Sequence, residues 1–316
     1  MLGYIEQRNN LGNAATRAGD ATPPSFIVAG CVPATSPANA LLASLMPELP
    51  EVETTRRGVA PHAVGRRVVD VKVYDRRLRW PVPSDLSEIL RGRAIDAVAR
   101  RSKYLLFRFG ADTLLVHFGM TGSLRVYRHP PVRRPHDHVD LLLDDGTLLR
   151  YNDPRRFGAV LWVPGSAALH PLLRDLGPEP FDAAFDANHF WRATRRRTAA
   201  IKLALMDNTL VVGVGNIYAN ESLFRAGIRP TTAAHRISRP RFARLVTEVQ
   251  AVLTEAIAAG GSTLRDYVDA GGEPGQFQLA YFVYGRDGQP CHVCGTPIRR
   301  RTVGGRASFY CVRCQR

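Results

Sequence analysis

Residues 46–53 read Met-Pro-Glu-Leu-Pro-Glu-Val-Glu, with a proline directly behind a methionine. If synthesis starts at Met46 and that methionine is trimmed, Pro47 carries a free secondary amine. A terminal amine has a pKa of about 8, roughly two units below a lysine, so an appreciable share is neutral near pH 7. It is a nucleophile toward a carbon at the aldehyde level and needs no buried pocket to activate it. Glu48 then holds a carboxyl beside that amine. Inside a longer chain the same run is a turn feeding a helix. Pro47 and Pro50 suit a first helical turn, where a missing N–H donor costs nothing. Glu51 and Glu53 suit the positive end of a helix dipole.

Of five cysteines, four pair off as Cys291-x-x-Cys294 and Cys311-x-x-Cys314, with sixteen residues between the pairs. That spacing reads as one structural zinc ion held by four thiolates. Two disulfides would need an oxidising compartment, and no clean secretory signal precedes them. Between the pairs, Arg306-Ala307-Ser308-Phe309-Tyr310 suits a β-hairpin tip that projects a cation. Modules this small depend on their metal to fold. Cys31 stands apart and takes no role.

The only lysines are Lys72, Lys103 and Lys202, against a background rich in arginine, so each raises a question. Lys103 lies in Arg100-Arg101-Ser102-Lys103-Tyr104, where a strand begins, and its setting alone fits a solvated strand-end lysine equally well. Two turns, at 117–122 and 152–158, carry glycines together with Met120, Arg155, Arg156 and Phe157. Glycine permits a tight reversal that pushes Met120 outward, although core packing is the plainer reading of Met120 and Phe157. His136 and His138 share a strand face with no third ligand in view, so no metal is expected there. Arg195-Arg196-Arg197 precedes a helix, as a solvated charge run or as a contact to a polyanion. Val212-Gly213-Val214-Gly215-Asn216 is a glycine loop opening a helix, and bare amides at a helix N-terminus bind phosphate. The absence of a preceding nucleotide-fold strand argues against a dinucleotide site.

These groups need a scaffold. A chain of 316 residues suggests about two domains, each large enough for a core. No apolar run reaches the ~18 residues that span a bilayer. The net charge is +15, and Glu6, Arg8, Arg17 and Asp20 cancel within residues 1–45, so the whole excess lies in 46–316. Such a field favours a polyanionic partner, nucleic acid first. Val52–Ala63 reads as an amphipathic helix. Val69, Val71 and Val73 alternate with Asp70 and Lys72, the signature of a half-buried strand over 68–74. Further strands are expected at 95–99, 104–109, 113–118, 123–127, 139–143, 148–151 and 159–163, with Asp145-Gly146 as a hairpin turn. Many short strands in succession imply an antiparallel sandwich. Beyond Pro164, helices are expected at 169–176, 190–194, 199–206, 217–226 and 240–259. The last has an apolar stripe of Phe242, Leu245, Val246, Val249, Val252, Leu253, Ala256 and Ile257, closed by Gly260-Gly261. The expected class is α+β, with a β-sandwich over 46–175, a helical domain over 176–280 that includes a glycine-bearing loop at 269–280, and a zinc module over 281–316. Residues 1–45 lack periodicity and fit a stretch ahead of a true start at Met46, with a cleaved leader or a retained tail as the alternatives.

The run Met46–Glu53 resembles the N-terminus of bacterial formamidopyrimidine-DNA glycosylases, the enzymes that excise 8-oxoguanine, and the resemblance covers Met46–Arg316. Val212–Glu221 matches that family's helix–two-turn–helix element almost residue for residue. The resemblance implies damaged duplex DNA held between a β-sandwich and a helical, zinc-bearing part, with the lesion flipped out. It implies that Pro47 attacks C1′, that Glu48 protonates the sugar, that Lys103 assists proton transfer, and that Arg306 assists the second strand cleavage. Met120, Arg155 and Phe157 would fill the void left by the lesion, with Arg155 facing the orphaned cytosine. His136, Arg156, Arg197 and Asn216 would meet phosphates, and the loop 269–280 would close over the extruded base. The implied activity is glycosylase with β,δ-elimination, without organic cofactor, by a monomer in the bacterial cytoplasm. The sister enzyme for oxidised pyrimidines, endonuclease VIII, begins Pro-Glu-Gly-Pro-Glu, and Leu49 and Val52-Glu53 argue against it. If residues 1–45 were retained, Pro47 would be an internal amide and the chain a lesion-binding protein without catalysis.

Overall fold

The computed structural model describes residues 47–261 and 281–316, all within a compact unit spanning Leu41–Arg316. The expectations for residues 1–45 and for the loop 269–280 fall outside the described residues.

Helix α1 (Leu49–Ala63) starts earlier than the apolar periodicity suggests. Glu48 is its N-cap, and the Glu48 N–H donates to the Glu51 carboxylate at 2.9 Å. Pro50 sits in the first turn, where no donor is missed. The apolar period, which begins at Val52, hid this start, although the fit of Pro50 to a first helical turn pointed to it. Leu49, Val52, Val59 and Ala63 form the buried face.

Eight strands follow: β1 (Val68–Val73), β2 (Ala97–Arg101), β3 (Tyr104–Phe109), β4 (Asp112–His117), β5 (Ser123–Tyr127), β6 (Asp137–Leu143), β7 (Leu148–Asn152) and β8 (Ala159–Val163). They form two four-stranded antiparallel sheets, ordered β1-β6-β7-β5 and β2-β3-β4-β8. Val71, Leu141 and Leu149 from one sheet meet Leu105, Phe107 and Leu114 from the other in one core. The sandwich expected from alternation is therefore present. Strand β2 begins at Ala97 rather than Ile95, because the Ile95 N–H is committed to Arg66 O at 2.8 Å. A short helix α2 (Leu86–Leu90) escaped the sequence reading, since five residues are too few to show a period.

The helix expected at 169–176 does not form. Only a 3₁₀ turn, Ala167–Leu169, occurs there. Pro171 explains it: the ring removes a donor and pushes His170 out of the helical region. The other expected helices are present as α3 (Ala187–Thr194), α4 (Ile201–Leu205), α5 (Asn216–Arg225) and α6 (Arg239–Ala258). Helix α6 buries seven of the eight stripe residues, all but Ile257. They pack on Phe190, Ile217 and Leu223, each large apolar side chain contributing about 1.5–3 kcal/mol.

The zinc module folds as a hairpin of β9 (Arg299–Val303) and β10 (Arg306–Tyr310). Its turn, Gly304-Gly305, has φ of +56° and +72°. A Cβ on Gly304 would lie 2.4 Å from Leu203 Cδ2 of α4, but it is the positive φ that favours glycine here.

Candidate active site

Two helix starts meet. The first is α1, with Pro47 half-buried just ahead of it. The second is α5, opened by the glycine loop. The Leu49 N–H donates to Gly213 O at 3.1 Å. The Glu48 carboxylate accepts from Gly215 N–H at 2.7 Å and Ile217 N–H at 3.0 Å. The glycine loop therefore binds an anion as the sequence suggested, but that anion is the protein's own Glu48. A Cβ on Gly215 would stand 2.2 Å from the Glu48 carboxyl carbon, so glycine is obligatory here. Glu48 is 2% exposed, and burial raises its pKa to about 7. The Lys103 charge and the two backbone amides pull it down, while Glu51 pushes it up. Glu51 is itself gripped by the buried Tyr218 hydroxyl at 2.7 Å.

Lys103 faces this pair. Part of its side chain reaches solvent, yet burial lowers its pKa, against the attraction of Glu48 and Glu51. Its position is fixed by the preceding turn, where Ser102 is held at φ +55°. Glu179 clamps that turn by accepting from Ser102 N–H at 2.7 Å, Arg100 at 2.7 Å and Arg101 at 2.9 Å. Sequence reading missed Glu179; its place between Pro178 and Pro180 was the one available signal. Arg306 is exposed at the start of β10, and its charge reaches both Lys103 and Lys202. Lys202 received no role from the sequence. It is fully buried on α4 and donates to Ala307 O at 2.8 Å and Ser308 Oγ at 2.6 Å, tying the hairpin that carries Arg306. Burial lowers its pKa to about 7.

A second cluster displays the proposed void-fillers. The turn bearing Met120 and the turn bearing Arg155 and Phe157 are locked through Asp153. Its carboxylate accepts from Thr121 Oγ1 at 2.7 Å and from Gly158 N–H at 2.8 Å. Gly119 packs on the backbone of Phe157, where a Cβ would come within 2.4 Å. The Arg155 guanidinium lies 5.0 Å over the Phe157 ring. Phe157 is 44% exposed, against the core-packing alternative, while Met120 is half-buried.

The remaining expectations divide. His136 is exposed and precedes β6 at φ +71°, whereas His138 is buried on β6, and their rings lie 6.4 Å apart on one side. Arg156 pairs with Asp75 at 2.8 Å. Arg197 pairs with Asp207 at 2.6 Å but keeps part of its side chain at the surface, and the neighbouring Arg196 is exposed. Asn216 is the first residue of α5, and its buried Oδ1 has no hydrogen-bond partner among the described residues.

The four cysteine sulfurs lie within 4.8 Å of one another. Cys291–Cys314 and Cys294–Cys311 are 3.9 and 3.4 Å apart, too far for disulfides at about 2.05 Å. Four thiolates around one tetrahedral ion fit these separations, with Zn–S bonds of about 2.3 Å. The ion's contribution is a cross-link: Cys291 and Cys311 are buried with Val283, Ile298 and Phe309 in a small core that leans on Phe224 of α5. Cys291→Ser is expected to strip zinc, loosen the hairpin and weaken DNA binding. Metal analysis beside a binding titration checks this, and wild-type affinity in a zinc-free variant would refute it.

Sequence models match three consecutive stretches. The formamidopyrimidine-DNA glycosylase N-terminal domain matches residues 46–160, the H2TH domain of the same family 176–268, and a zinc finger found in FPG and IleRS 288–316. A formamidopyrimidine-DNA glycosylase of Burkholderia thailandensis is 57% identical over 277 residues, covering 86% of this chain and all of the relative. The crystal structure of the MutM (Fpg) protein from Thermus thermophilus superposes with a TM-score of 0.75 at 42% identity, covering 85% of this chain and 98% of that one. A Lactococcus lactis Fpg complexed with DNA containing N7-benzyl-Fapy-dG gives a TM-score of 0.77 at 32% identity, covering 85% and 100%.

Proposed function

This chain belongs to the formamidopyrimidine-DNA glycosylase family, and we infer that it is a base-excision glycosylase removing oxidised purines from duplex DNA, followed by β,δ-elimination. The observation that supports this best is the Glu48 carboxyl, raised to about 7 and fixed on the amides of α5, directly after Pro47. A proton donor near neutral pKa then sits beside the one nitrogen able to attack the sugar.

The steps follow from those positions. The Pro47 nitrogen forms a bond to C1′ while the glycosidic C–N bond breaks, and the base leaves with a proton. Glu48 gives its proton to O4′ as the ring opens. The proton that the departing base takes is the one the nitrogen loses, and a C1′ iminium results. Loss of the C2′ proton expels the 3′ phosphate, and a second elimination expels the 5′ phosphate. Water then releases Pro47. The iminium is the electron sink, so no organic cofactor enters. Lys103 is the base nearest to these transfers, and Arg306 steadies the phosphate that leaves. Met120, Arg155 and Phe157 occupy the gap in the stack, and His136, Arg156, Arg197 and Asn216 hold phosphates. Zinc fixes the hairpin that carries Arg306. The reaction belongs to the bacterial cytoplasm, where reduced cysteines favour zinc over disulfides; among the described residues no helix is long and apolar enough to cross a membrane.

Borohydride trapping on duplexes with 8-oxoguanine or dihydrothymine tests this reading. A purine-selective covalent adduct is expected. Pyrimidine selectivity would assign the chain to endonuclease VIII chemistry, and absence of any adduct would leave a lesion binder.

A further inference from the structure

A cleft of about 380 Å³ opens on the sandwich, away from Glu48, between the end of β1 and the segment entering β6. Its walls are Tyr74, Asp75, Arg133, Arg134, His136 and Arg156. The sequence assigned nothing to Arg133 or Arg134.

The cleft is built rather than incidental. The Arg133 guanidinium is stacked 4.4 Å above the Tyr74 ring. The Tyr74 hydroxyl donates to Asp140 at 3.0 Å, and Asp140 holds the buried Arg150 through two bonds of 2.8 Å, so the ring is a fixed shelf. The Arg134 N–H donates to Asp137 at 2.6 Å, which pins the loop. Two of the three described non-glycine residues with positive φ, His136 at +71° and Arg156 at +60°, line this cleft, and such backbone gathers at functional sites.

Its electrostatics favour an anion. Asp75 is met by Arg156 and Arg77, each at 2.8 Å, while Asp137 and Asp140 share Arg150, at 3.5 and 2.8 Å, so with Arg133 and Arg134 the arginines still outnumber the aspartates. Arg133 and Arg134 are exposed, and neither forms an ion pair among the described residues. The Tyr74 face is already covered by Arg133, so no base can stack on it. The space suits a phosphate with its waters. Arg156 lies between Arg155 and Phe157 in sequence, so this cleft backs the turn that displays them.

We propose that Arg133 and Arg134 seat a backbone phosphodiester of the bound duplex in this cleft, a second anchoring point beyond the contact expected of His136. The proposal rests on the glycosylase reading. Arg156, braced by Asp75, and the shelf of Tyr74 preset the two arginines, so the contact carries no base information and serves register.

The test uses zinc-loaded chain beginning at Pro47, with Arg133 and Arg134 both changed to Ala, and separately both to Lys. Binding is titrated against salt on undamaged duplex and on duplex with a tetrahydrofuran abasic analogue. The alanine variant should lower the slope of log affinity on log salt by about 1–2, equally for both duplexes. The lysine variant should restore most of it. Trapping at saturating 8-oxoguanine duplex should stay at the wild-type level. A methylphosphonate scan should find one linkage whose neutralisation weakens the wild type but not the alanine variant. An unchanged salt slope, or identical scans for both proteins, overturns the proposal. Melting that responds to inorganic phosphate through these arginines, with the DNA slope unchanged, would give the cleft to a free anion and overturn it too. Wild-type protein that forms no adduct would instead sink the glycosylase reading, whatever the slope.

Discussion

Protein whose Pro47 nitrogen is acylated by the preceding residues is expected to give no borohydride-trapped adduct, while protein beginning at Pro47 traps fully. The reason is electronic. An amide nitrogen donates its lone pair to the carbonyl and cannot attack C1′, whereas a terminal secondary amine with a pKa of about 8 is substantially neutral near pH 7. Loss of the nucleophile should lower single-turnover strand cleavage by about three orders of magnitude or more, some 4 kcal/mol of barrier. Pro47→Gly in the shorter form keeps a terminal amine but loses the constrained ring, and should be crippled in trapping. DNA binding should persist in both cases, because the arginines proposed to meet phosphate remain. Intact-mass measurement of the native protein says which form is made. Full-speed cleavage of 8-oxoguanine duplex by a chain beginning at Met1 would remove Pro47 from the mechanism.

Much of this fold is legible in the residues, for definite reasons. Strands β3, β5 and β8 have the bounds expected from their sequence: β5 alternates apolar and polar side chains, while β3 and β8 are short apolar runs cut off by Gly110 and Pro164. The stripe on α6 is equally plain. What stayed hidden is mostly non-local. Glu179 lies 77 residues from the Ser102 amide it holds, and Lys202 lies 106 from Ser308. No spacing rule connects such partners. The glycine loop shows the same limit in another form. Its phosphate-like preference was readable, but its occupant, Glu48, comes from 167 residues earlier.

Glu48→Gln should abolish base release while leaving part of the lyase activity on a preformed abasic site. The amide keeps the size of the side chain but cannot give a proton to O4′, and loss of a positioned general acid costs about 10²–10⁴ in rate. An abasic site no longer needs its base expelled, so the amine alone still forms some iminium. The pH dependence has a definite sign. On the proposed mechanism the reaction needs Glu48 protonated and Pro47 neutral. With Glu48 at about 7 and a terminal amine near 8, base excision rises and then falls with pH, peaking between those values. The folded-state pKa of Glu48 is raised above 4.5, to about 7, so between those pH values the native state binds more protons than the unfolded chain. Its contribution to stability is therefore lost as pH rises through that window, opposite to the usual salt-bridged carboxylate. The glutamine variant lacks this titration. It also sets an NH₂ against one of the two amide donors, Gly215 or Ile217, so at low pH it melts below the wild type. As pH rises from about 5 to about 8 the gap in Tm should narrow. A gap that stays constant across the range, together with wild-type base release, would mean that Glu48 is neither the buried titrating group nor the acid.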